Sequence, residues 1–162
     1  MKLIYNFLIL FITALLLSNS SCKKDKYLKD YDYIIFGSSY GMCAGPNCNT
    51  TYLLNDKGAF RSETYLRDND ITLHHVKLSE SKFKQLKELS TKIPQQLYTS
   101  AKPEETFGCP DCADQGTLYL EIKEKNKSAK KFRIDTNEGS LPEHIKSIAV
   151  DIKASIEIAK IL

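Results

Sequence analysis

The chain has 162 residues, 42% of them hydrophobic and 27% charged, with a formal net charge of +3. That balance belongs to one folded domain and excludes a disordered or fibrous chain. Basic and acidic residues are interleaved almost everywhere, so no basic stripe of the kind that grips nucleic acid is evident, and a nucleic-acid partner is not expected.

The first element is MKLIYNFLILFITALLLSNSS, residues 1–21. Lys2 is followed by eleven near-apolar residues from Phe7 to Leu17, then by small polar ones. A stable span of the roughly 30 Å hydrocarbon layer needs about 20 apolar residues. A secretory signal core needs only about 7 to 15. Residues 1–21 are therefore expected to direct export.

Ser20 and Ser21 then lead into Cys22, Lys23, Lys24 and Asp25. These residues resemble the lipobox of bacterial lipoproteins, in particular the SCKKD type of the Bacteroides and Flavobacterium group. Asn19 departs from it, since an aliphatic residue is usual at that position and Leu17 lies two further back. The resemblance implies a diacylglycerol on the Cys22 thiol, cleavage before it and an N-acyl group on the new terminus. No other cofactor is expected. Two or three chains hold a protein at a bilayer, because each buried methylene contributes about 0.8 kcal/mol.

The mixed charges of residues 22–32 read as a solvated tether, leaving 33–162 as the folded domain. Surface-export signals in the resembling group carry several acids after the cysteine. Here Asp25 stands among four lysines up to residue 29, so an outer-membrane lipoprotein facing the periplasm is expected.

Within the domain, YDYIIFG is rich in aromatic and β-branched residues and reads as a strand closed by GSSYG. TTYLLNDKGAFRSETYL breaks at residues 55–58 with a composition suited to a hairpin, and ITLHHVKL, residues 71–78, reads as a further strand. A helix is expected from an N-cap at Ser79, with Leu78 and Phe83 forming a staple, Phe83, Leu86, Leu89 and Ile93 on one face, and Pro94 ending it. TLYLEIKEKNKSAKKFRID gives two more strands around a turn at Asn126. Ser140 and Glu143 form a capping box, and Ile145, Ile148, Ala149, Ile152, Ile156 and Ala159 line one face of a last helix. The order βββ-α-ββ-α predicts an α+β domain: an antiparallel sheet of about five strands with two helices on one face.

Export would place Cys43, Cys48, Cys109 and Cys112 in an oxidising compartment, so disulfides are expected. Four thiols allow three connectivities. Pro110 and Asp111 suit a tight turn that would bring Cys109 and Cys112 together, while a bond between the two pairs would close a longer loop. The same spacings fit a four-thiolate zinc site or, in CPDC, a thiol-redox centre. The latter needs a helix N-terminus after the motif, and Ala-Asp-Gln-Gly and a strand follow instead.

Catalytic signatures are sparse. His74 and His75 are adjacent on a strand and point to opposite faces, and His144 lies in the first turn of the last helix. Ser-x-x-Lys recurs without its companion motifs. Asp135 to Gly139 resembles a calcium loop but has Lys146 where the twelfth-position acid belongs, so it reads as a turn. Glu104, Glu105, Asp111 and Asp114 read as a solvated acidic loop. No catalytic residue is assigned and an enzyme is not expected. FGSSYGMCAGPNCNTTY crowds glycines, cysteines and tyrosines into a loop carried by the sheet, which makes Tyr40, Met42 and Asn47 the candidate binding residues for an envelope protein or small ligand. This loop and the last helix also make the mature chain similar to small lipoproteins of the same bacterial group, a resemblance that implies no established activity.

Overall fold

A computed structural model describes residues 27–41, 43, 48–62, 75–110 and 112–160. The export segment, Cys22, Met42, Asn47 and His74 lie outside the described residues. Strand β1 is Tyr31–Ser39, followed by β2 Asn49–Asn55, β3 Gly58–Ser62 and β4 His75–Lys77. Helices α1 Glu80–Leu86, α2 Leu89–Lys92 and α3 Gln95–Thr99 come next. Then follow β5 Glu104–Phe107, β6 Thr117–Glu124, β7 Lys130–Asp135 and the long helix α4 Glu143–Lys160.

The strands form one sheet in the order β4-β3-β2-β1-β6-β7-β5. The α+β class is as expected, but the five-stranded antiparallel sheet is corrected to a seven-stranded mixed one. Part of the difference is the hairpin, which contributes two strands: Asp56 and Lys57 form a two-residue turn, and the Asn55 side chain accepts the Lys57 N–H at 2.9 Å. The rest is β5, which lies at the sheet edge and runs parallel to β7. Glu104 and Glu105 were expected in an acidic loop; they are instead its first two residues. An edge strand of four residues pairs on one side only and buries little, so its side chains carry no strand signal.

Cross-strand pairs stack Ile34 between Leu54 and Ile122, and Phe36 between Tyr52 and Leu120, on one face of the sheet. These residues form a single core cluster with Leu86, Leu89, Ile93 and Leu97 from the short helices and with Ile145, Ile148, Ala149, Ile152, Ile156 and Ala159 from α4. The helical face read from the sequence is therefore the buried one.

Ser79 caps α1, its side chain accepting the Lys82 N–H. The single helix expected as far as Ile93 is broken into α1 and α2, however. At the break, the Ser90 hydroxyl donates to the Lys87 carbonyl at 2.7 Å, and such a side-chain bond competes with the helical ladder. Ile93 then turns extended before Pro94, as the proline ring requires. The capping box at Ser140 does not form either. The Ser140 hydroxyl is directed at Asp135 and at the Asn137 carbonyl, while the first turn of α4 closes on the Pro142 carbonyl through the Ile145 and Lys146 N–H groups.

Tyr31, where the sequence pattern turns to strand, is 1% exposed and opens β1. Its hydroxyl meets Tyr98 and the Ser90 carbonyl, and burial pushes its pKa up to about 12. This residue fixes the point at which the N-terminal segment enters the fold.

Candidate functional site

Antiparallel pairing puts the end of β1 beside the start of β2 and of β6, with Ser39 opposite both Asn49 and Thr117, and Thr117 in turn opposite Asp135. The β1–β2 loop and the β5–β6 loop therefore leave the sheet at the same end. Each holds one cysteine pair. The structure joins Cys43 to Cys48 and Cys109 to Cys112, with Cα separations of 5.4 and 5.5 Å, so both bonds are local. Loops this short lose little chain entropy on closure, so each bond contributes about 2 kcal/mol. Sulfurs bonded this way offer no thiolate to zinc, and among the described residues no three His, Cys, Asp or Glu side chains gather as metal ligands.

The two loops touch. Tyr40, which is 40% exposed, holds the base of its own loop: its N–H donates to the Cys48 carbonyl at 3.1 Å and its carbonyl accepts the Cys43 N–H at 3.4 Å. Its ring lies over the backbone of Gly116, where any Cβ would collide with the ring. Gly116 also has φ of +88°, which a side chain would strain.

The second loop is fastened by Asp135, a buried carboxylate at the end of β7. One oxygen accepts the Asn137 N–H and the Gln115 amide, both at 2.8 Å; the other accepts the Cys109 N–H at 2.9 Å and the Ser140 hydroxyl at 3.1 Å. Burial alone would raise its pKa. The backbone N–H bonds from Asn137 and Cys109, then the bonds from the Ser140 hydroxyl and the Gln115 amide, outweigh that and hold the carboxyl below its usual range. Gly108 makes the approach possible, since a Cβ there would fall 2.6 Å from that of Asp135. Asp135 thus ties the CPDC loop to the entrance of α4.

CPDC runs into turns and then β6, not into a helix. The Cys112 N–H donates to the Cys109 carbonyl at 3.2 Å, and Asp114 and Gly116 both take positive φ before Thr117. Among the described residues no helix starts directly after the motif, which is the arrangement that lowers an attacking thiol's pKa. Beside it, between α3, β5 and the first turn of α4, a shallow cleft of about 230 Å³ is lined by Gln96, Ser100, Glu105, Phe107 and His144. The His144 ring meets Phe107 edge-on with centroids 6.5 Å apart, and Glu105 accepts the Ser100 hydroxyl at 3.0 Å. The cleft is smaller than the roughly 300 Å³ lower bound of ordinary ligand pockets.

The sheet face away from the core cluster carries a group the sequence reading missed. Glu121, 5% exposed, accepts the Tyr33 hydroxyl at 2.7 Å on one oxygen and the Tyr119 hydroxyl at 2.6 Å on the other. Burial first, then the bond to Glu121, raises the pKa of both phenols. They stay protonated, and with both carboxylate oxygens occupied the group is a lock between β1 and β6. Tyr119 and Glu121 share a strand face by their i, i+2 spacing, and that signal was available. Tyr33 joins them only through the β1–β6 register.

No helix among the described residues is long and apolar enough to cross a membrane. The chain matches no protein-family model and no curated protein.

Proposed function

We propose that the protein is a lipid-anchored lipoprotein of the cell envelope, held at Cys22 in the outer membrane and facing the periplasm. Its α+β domain binds an envelope protein or a small ligand through the disulfide-pinned end and carries out no reaction of its own. The observation that carries this reading is the convergence of two crosslinked loops at the sheet end opposite the N-terminus. β1 enters the fold at Tyr31 and reaches the loops at Ser39, a rise of about 26 Å. An anchor at one end therefore presents the pinned loops outward. Loops braced on a rigid sheet keep their shape with little ordering cost on binding.

The test is a photocrosslinking amino acid placed at Tyr40 and, in a parallel variant, at Val150, an exposed residue of α4. The expected result is a discrete adduct in intact envelopes from position 40 and none from position 150. Equal adduct patterns from the two positions would defeat the assignment of binding to the loop end.

A further inference from the structure

The near-neutral total charge hides an uneven distribution. Residues 123–131, KEKNKSAKK, hold five lysines and one glutamate, a net of +4; residues 22–32 hold four lysines and three aspartates, a net of +1. Lys2 aside, the whole chain's +3 therefore leaves −3 on everything else. Of the second segment only residues 27–32 are described, with Lys29, Asp30 and Asp32, and they lie against the first. Tyr31 pairs with Glu124 across β1 and β6, the Lys125 N–H donates to the Asp30 carbonyl at 3.1 Å, and Lys123 lies 3.3 Å from Asp32. The turn of the β6–β7 hairpin thus sits against the point where the N-terminal segment leaves the domain.

This end has the form of a bilayer contact. Lys29 and Lys125 are exposed, and Lys127 keeps 62% of its side chain exposed while pairing with Glu124. Tyr27 is 55% exposed at the same edge, with Lys29 over its ring at 5.8 Å. An exposed aromatic among lysines is the side-chain pairing found at the headgroup level of membranes. Only residues 23–26 separate Tyr27 from Cys22, and the five residue steps between them span at most about 18 Å.

We infer that the β6–β7 turn, with Lys125, Lys127, Lys29 and Tyr27, rests on an anionic phospholipid surface and orients the domain with its disulfide loops away from the bilayer. The inference rests on the lipid anchor proposed above. A lipid chain together with a basic patch is a familiar two-signal attachment, and the patch adds what the chains cannot, a fixed orientation.

The experiment takes the native protein into vesicles of phosphatidylcholine alone or with phosphatidylglycerol, acetylates lysines briefly, and maps the modified peptides. Lys84 and Lys87, exposed near the end of α1, serve as internal references. On anionic vesicles Lys125 and Lys127 should react about fivefold more slowly relative to the references, with recovery in high salt. Unchanged ratios, or equal slowing at Lys84 and Lys87, would overturn the inference. Flotation with pure phosphatidylcholine reads the anchor separately. A protein that fails to float there contradicts the lipid, and the lysine ratio on anionic vesicles still decides the surface.

Discussion

Replacing Cys22 with serine is expected to abolish acyl labelling completely. Cells given labelled palmitate should incorporate it into the wild-type protein and not into the variant, an all-or-none difference. The physical basis is the chemistry of one sulfur: serine cannot form the thioether, and none of the other four cysteines is a substitute, because Cys43 is bonded to Cys48 and Cys109 to Cys112. A single chain of myristoyl length gives only marginal binding, whereas each added methylene contributes about 0.8 kcal/mol, so the acyl groups at residue 22 would account for nearly all of the hold on the bilayer. Label retained in Cys22→Ser would move the attachment elsewhere.

The second large effect is expected at Asp135. Asp135→Ala removes a buried acceptor that takes four hydrogen bonds and leaves the Cys109 N–H and the Gln115 amide without it. Unsatisfied donors of this kind cost about 1 to 3 kcal/mol each, so urea unfolding near neutral pH should show a loss of about 4 kcal/mol. Asp135→Asn keeps the shape and removes the charge, and about half that loss is expected. The pH dependence has a fixed sign. The native carboxyl titrates below its ordinary value of 3.8, so the unfolded chain takes up the proton first as pH falls. The stabilisation is complete above the ordinary value and disappears as pH drops through the native one. The gap between wild type and Asp135→Asn should therefore narrow in acid. A gap that stays constant from neutral pH to about pH 3 would show that the charge contributes nothing.

The parts of the fold written in local periodicity were legible. Ile145 to Ala159 recur at helical spacing and all of them are buried against the sheet, and the residues around Asn55 to Gly58 specify their own hairpin. The local pairing of Cys109 with Cys112 follows from a turn that the sequence already suggested. What escaped was set by long-range register. β5 pairs with β7 through its backbone, and Glu104 to Phe107 alternate between exposed and half-buried without an apolar stripe. The Glu121 lock needs Tyr33, 88 residues away in sequence. Asp135 had the look of a turn residue, and only the meeting of the β5–β6 loop with the end of β7 gives it Cys109 and Gln115 as partners. The candidate loop was proposed from composition, but its neighbour was not. Nothing local says that Tyr40 lies on Gly116, and that contact makes two separate loops a single surface.

The proposed anchor would decide how that surface is presented, and intact mass spectrometry of the native protein purified from envelopes tests it most directly. The account predicts a chain that begins at Cys22 and exceeds the mass of residues 22–162 by a diacylglycerol and one further acyl group. A chain that begins at any other residue, or that weighs only what its amino acids do, would contradict it.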